Sequence, residues 1–135
     1  MTIRELSQLY YLNREIDMDR RRLEELEVKM QPGAQVLTGM PRGNKTSDRT
    51  GNYAAEIADL RGIIEAKHRQ CLYERNRLER YITGIEDTLI RQIFTYRFVN
   101  GLTWNQVAHC IGGDCTADSV RMACNRFLEH ENEED

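Results

Sequence analysis

The chain has 135 residues, 30% of them charged and 7% aromatic, with a formal net charge of −3. That is room for one domain plus a helical extension, and too few aromatics for a thick core. No apolar run of about 18 residues occurs, which excludes an ordinary membrane-spanning helix.

Read in chain order, the first element is a helix over residues 5–30. Leu9, Ile16, Leu23 and Met30 recur every seven residues, and Leu12 and Leu26 sit three further on, with Asp19 interrupting that second row. This is the a/d seam of a coiled coil with one polar position. The opening Met1-Thr2-Ile3-Arg4-Glu5 has no signal-peptide core. The expected location is therefore the cytoplasm, with Cys71, Cys110, Cys115 and Cys124 reduced.

Residues 31–52 carry Pro32, Gly33, Gly39, Pro41, Gly43 and Gly51, so an irregular loop is expected there. Its cations Arg42, Lys45 and Arg49 outnumber its acid Asp48. They form either a soluble connector or a phosphate-touching or docking loop. A second long helix follows over 53–84, with Ile57, Ile64, Cys71, Leu78 and Ile85 at heptad spacing. Leu60 and Tyr81 fall on its d row, which Lys67 and Glu74 interrupt. Two seams of similar length joined by one loop predict an antiparallel helical hairpin over residues 1–84. The narrow stripes also suit self-association, so a homo-oligomer formed through the hairpin is expected.

Residues 85–130 change character. A third helix is expected from Ile85 to Val99, stopped by Asn100-Gly101. Thr103 and Gln106 form a capping box for a fourth helix with Trp104, Val107, Ala108 and Ile111 inward. Gly112-Gly113 supply a turn. Thr116 can cap a fifth helix with Val120, Cys124, Phe127 and Leu128 on one stripe. The opposite face carries Asp118, Arg121, Met122, Asn125 and Arg126, residue types that contact base edges and phosphates. Helix, glycine turn, helix in this order is the grammar of a helix-turn-helix DNA reader. Residues 131–135 are expected to be an acidic tail. The fold class is thus all-α: a long coiled-coil-like antiparallel hairpin followed by a three-helix helix-turn-helix domain.

Arg97-Phe98-x-x-Gly101-x-Thr103-Trp104-x-x-Val107-Ala108 and Thr116-Ala117-Asp118-Ser119-Val120-Arg121 resemble the fourth conserved region of bacterial sigma factors. More closely, they resemble the small sigma-region-four-like proteins of phages and prophages in low-GC Gram-positive bacteria. Gly39-Met40-Pro41-Arg42-Gly43 and Ser47-Asp48 extend the likeness into the hairpin. The resemblance implies a transcription regulator that binds double-stranded DNA, with RNA polymerase as a further candidate partner. It places Ser119, Arg121, Met122, Asn125 and Arg126 against the major groove. Thr103, Asn105, Thr116 and Asp118 complete the candidate DNA-binding set.

Charge tempers this expectation. Residues 1–85 carry 15 Lys/Arg against 13 Asp/Glu, but residues 86–135 carry 4 against 9, five of the nine from Glu129 onward. Non-specific affinity scales with phosphates neutralised, so DNA binding should be weak or assisted by a partner. Two alternatives stand beside the regulator. One is a DNA-recognition subunit of a phage packaging machine, resembling a small terminase, in which a ring sums weak sites. The other is an interaction module that docks on RNA polymerase and never touches DNA. No catalytic motif appears, so no enzyme is expected. The spacing of Cys110, Cys115 and Cys124 with His109 and His130 lacks a Cys-x2-Cys pair, so neither metal nor cofactor is expected.

Overall fold

A computed structural model describes residues 1–31 and 43–134, with side chains over 1–31 and 51–133. It is all-α: the described residues contain helices and turns and no strand. The helices are α1 (Ile3–Leu6), α2 (Gln8–Met30), α3 (Gly43–Thr83), α4 (Thr88–Phe94), α5 (Trp104–Ile111) and α6 (Ala117–Glu134), with a π-helical segment Thr95–Val99 continuing α4. The chain divides into two compact units. One comprises Met1–Leu12 with Cys71–Asp135, and the other comprises Asn13–Gln70.

The Asn13–Gln70 unit is an antiparallel pairing of α2 with α3. Ile16, Leu26, Ile57, Leu60 and Ile64 are buried along its seam. Two of the three polar interruptions read from the sequence meet each other: Lys67 Nζ donates to Asp19 Oδ2 at 2.6 Å, with Glu15 Oε2 at 3.5 Å. Both side chains of the tighter pair are half-buried, and the Asp19 hydrogen bond raises the Lys67 pKa above 10.5. A raised lysine pKa means the pairing contributes fully below its ordinary value and is lost only as pH climbs above it. Arg61 with Glu27 at 2.9 Å and Arg20 with His68 at 2.6 Å flank the same seam and fix the same register. A polar pair inside a seam commonly specifies register rather than adding stability.

The other unit gathers both ends of the chain. Thr2 caps α1 in a box with Glu5: the Glu5 N–H donates to Thr2 Oγ1 and the Thr2 N–H to Glu5 Oε2, each at 3.2 Å. Only Ser7 separates α1 from α2, and its N–H donates to the Ile3 carbonyl at 2.9 Å, so the first helix effectively begins at Ile3 rather than residue 5. Leu6, Leu78, Ile93, Phe94, Val107 and Cys124 are almost fully buried and make the core of this unit. Phe94 is the hub, edge-on to Phe98 at 5.3 Å and Phe127 at 5.5 Å, and stacked on Tyr81 at 6.4 Å.

Four boundaries differ from the sequence reading. The loop over 31–52 is shorter than expected, because α3 starts at Gly43. Helical propensity across Asn44–Asn52 is poor, but two isolated glycines do not stop a helix as a proline does. Residues 32–42 lie outside the described set. The third helix starts at Thr88, not Ile85: Asp87 Oδ1 accepts from the Leu89 N–H at 2.9 Å and the Ile90 N–H at 3.4 Å, a strong N-cap. The acidic residues past 130 are not a separate tail either. α6 continues to Glu134, and the Tyr81 hydroxyl donates to the Glu131 carboxylate. Burial and that carboxylate push the Tyr81 pKa well above its ordinary value. Finally, the chain divides at Leu12/Asn13 and Gln70/Cys71 rather than between 84 and 85.

Candidate functional site

The helix-turn-helix pair is set by its caps. The Gln106 N–H donates to Thr103 Oγ1 at 3.2 Å and the Thr103 N–H to Gln106 Oε1 at 2.9 Å, the expected box at the start of α5. α5 ends at Gly112, with φ +83 and ψ −169, followed by Gly113 at φ +66. Both lie in the half of backbone space that L side chains avoid, so the chain can reverse only because glycine stands there. Thr116 and Ser119 form a second reciprocal cap. The Thr116 N–H donates to Ser119 Oγ at 2.9 Å, the Ser119 N–H to Thr116 Oγ1 at 3.1 Å, and the Ser119 hydroxyl to the Thr116 carbonyl at 2.9 Å. Val120, Cys124 and Leu128 then point into the core of the unit, which turns the opposite face of α6 outward.

Arg97 braces the entry to α5. Its Nη1 donates to the Leu102 carbonyl at 2.9 Å, and its guanidinium lies over the Trp104 ring, 4.6 Å from the centroid. Trp104 is half-buried under that lid and structural in its contacts. Arg97, the first residue of the sequence motif, is therefore occupied in holding the α4–α5 junction.

The candidate residues sort into two kinds. Thr103, Thr116 and Ser119 are caps. The Ser119 hydroxyl has its one proton committed to Thr116, whereas the Thr103 and Thr116 hydroxyls accept from backbone and keep a proton to donate. Asn105, Asp118, Arg121, Met122, Asn125 and Arg126 are all exposed. Five of these six lie together on α6, and Asn105 lies on the first turn of α5. Arg121 Nη2 donates to Asp118 Oδ1 at 3.4 Å, whereas Arg126 has no ion-pair partner among the described residues. The outward face of α6 thus presents two guanidiniums, one already paired, with an amide and a thioether between them. The i,i+3 spacing of Asp118 and Arg121 accounts for their pairing.

Of the basic loop, Arg42 lies outside the described residues. Lys45 and Arg49 sit on the helical backbone of α3, and their side chains fall outside the described set. No group of three His, Cys, Asp or Glu gathers at metal-binding distance among the described residues. Cys110 is exposed, whereas Cys71 and Cys124 are buried. Burial pushes the Cys124 thiol up from 9.0 to about 12. An open cleft of about 690 Å³ lies beside Tyr81, lined also by Arg80, Phe127 and His130. Its Tyr81 and Glu131 polar groups are bonded to each other. Among the described residues no helix is long and apolar enough to cross a membrane. Comparison with protein-family models, with curated proteins and with solved structures finds no match to this chain.

Proposed function

We propose that this protein binds double-stranded DNA through α5 and α6, as a transcription regulator of the sigma-region-four-like type found in phages and prophages. The observation that carries the reading is the exposed row Arg121, Met122, Asn125 and Arg126 on a helix set up by a double-glycine turn and a reciprocal cap. In this reading α6 lies in the major groove. Thr103 and Thr116, each with a hydroxyl proton to give, hold the helix ends against phosphates. Two guanidiniums per chain are a thin electrostatic footing. Self-association, or contact with RNA polymerase, supplies the rest by placing several weak sites on one duplex. The exposed Met18 and Ile63 of the Asn13–Gln70 unit offer apolar surface for such assembly.

The test is a titration of duplex fragments from the genome around the gene, at low salt, with wild type and the Arg121→Ala/Arg126→Ala double variant. Selective binding by wild type, weakened at least about tenfold in the variant, is expected from the loss of two charged contacts. Absence of selective binding at low salt overturns the reading. A second reading has one observation behind it, the neutralisation of Arg121 by Asp118. It makes α5–α6 a docking module for RNA polymerase, and polymerase capture without DNA retention distinguishes it.

A further inference from the structure

Asp118 and Arg121 stand one turn apart on the outward face of α6, their side chains 82% and 53% exposed. An ion pair this open contributes little to stability, so holding the fold is not its main effect. What it does is fix the order of hydrogen-bonding groups on the helix surface. The guanidinium has five N–H groups and spends one on Asp118, leaving donors facing outward. The carboxylate keeps lone pairs on both oxygens. Side by side, the two side chains present donor, donor, acceptor.

That order has one complement among base pairs. The major-groove edge of a G·C pair offers N7 and O6 as acceptors and then the cytosine N4 amino group as donor. An A·T pair offers acceptor, donor, acceptor, which sets the adenine amino group against the guanidinium and the thymine O4 against the carboxylate. A lone arginine favours guanine through two bonds and is also drawn to any phosphate. The adjacent carboxylate adds a third reading point and repels phosphate, so it trades general affinity for discrimination.

We infer that Arg121 and Asp118 act as one unit that reads a single G·C base pair, with Arg121 on guanine and Asp118 on the amino group of its paired cytosine. The inference rests on the DNA-binding role proposed above. Asp118 is then a specificity-determining residue, and its effect on affinity is opposite in sign to that of Arg121. Removing Arg121 weakens all binding. Removing the charge of Asp118 strengthens binding to unrelated DNA while the G·C requirement relaxes.

The test uses the full chain and a pool of duplexes randomised over about two helical turns, carried through rounds of selection with wild type, Asp118→Asn, Asp118→Ala and Arg121→Ala. Circular dichroism melts establish that each variant folds, which the exposure of both positions favours. Wild type is expected to fix a G·C pair that Asp118→Asn and Asp118→Ala accept in other forms. Substituting that pair in the selected site should cost wild type roughly tenfold or more and the Asp118 variants at most a few-fold. Both Asp118 variants should bind an unselected duplex more tightly than wild type. An undiminished G·C preference in Asp118→Asn and Asp118→Ala overturns the paired reading and leaves DNA binding standing. Failure of wild type to enrich any sequence overturns DNA binding itself, and the paired reading with it.

Discussion

Side chains of one type do different work here according to what surrounds them, and the cysteines are the clearest case. Cys110 is exposed near the end of α5, whereas Cys124 is sealed under the α6 stripe and its thiol is pushed up to about 12. A thiol-specific reagent at neutral pH should therefore modify Cys110 readily and reach Cys124 only on unfolding. Comparable rates at the two sites would contradict the packing of α6. The same shift has a defined pH signature. Below pH 9.0 the Cys124 thiol is protonated in both folded and unfolded chains, and its contribution is fully present. As pH rises from there toward about 12, the unfolded thiol ionises while the folded one stays neutral, so stability falls. Tyr81, whose pKa is also raised, acts with the same sign. Denaturation followed across that interval should show a shallower decline for Cys124→Ala than for wild type, from a lower starting stability. Much at this scale was legible in the sequence, including the Thr103–Gln106 box and the inward Cys124. The Tyr81–Glu131 bond was not, because composition reads an acidic run as solvated and says nothing of a tyrosine 50 residues upstream.

At the level of elements, glycine marks where the backbone needs freedom and where it does not. Gly62 lies inside α3, and an added Cβ there meets nothing within 4 Å. Gly62→Ala should stabilise the Asn13–Gln70 unit by about 0.5–1 kcal/mol through helix propensity. An added Cβ at Gly112 also meets open space, but its φ of +83 is denied to alanine without strain. Gly112→Ala should destabilise the α5–α6 unit by roughly 1–3 kcal/mol. Urea denaturation of the two variants should move the midpoint in opposite directions, and equal signs would refute the backbone argument. The α5–α6 turn was readable because paired glycines leave few other roles. The start of α4 was misplaced because Ile85 continues the α3 heptad row and hid the cap at Asp87. The π-helical segment Thr95–Val99 left no mark at all, since inserting one residue into a helical turn needs no special residue type.

For the molecule as a whole, the decisive fact is that one compact unit is built from both ends of the chain. Leu6 is among its most buried side chains, and Glu5 reaches Arg77 at 3.9 Å. Deleting residues 1–12 should therefore lower the melting temperature of the C-terminal helices, though every residue of α4, α5 and α6 is retained. A fragment starting at residue 85 should not hold a cooperative fold. Unchanged melting of the C-terminal helices after the deletion would contradict this division of the chain. The sequence concealed it, because heptad periodicity runs on through Leu12 and Cys71 without a change of pattern. Periodicity reports which face is buried and not which partner buries it. The pairing of Asp19 with Lys67 shows the same limit, since each interruption was visible and their meeting depends on the antiparallel register.

This discontinuity also orders the folding reaction. Leu6 leaves the ribosome long before Ile93, Phe94, Val107 and Cys124, the other buried residues of its unit, so that core cannot close until synthesis is almost complete. Closing so long an excursion in an unstructured chain carries a substantial entropy cost. Local pairing of α2 with α3 across Asp19 and Lys67 shortens the effective loop before the ends must meet. The hairpin is then a folding template, and variants that weaken its seam should slow the appearance of the α5–α6 unit without touching a residue in it.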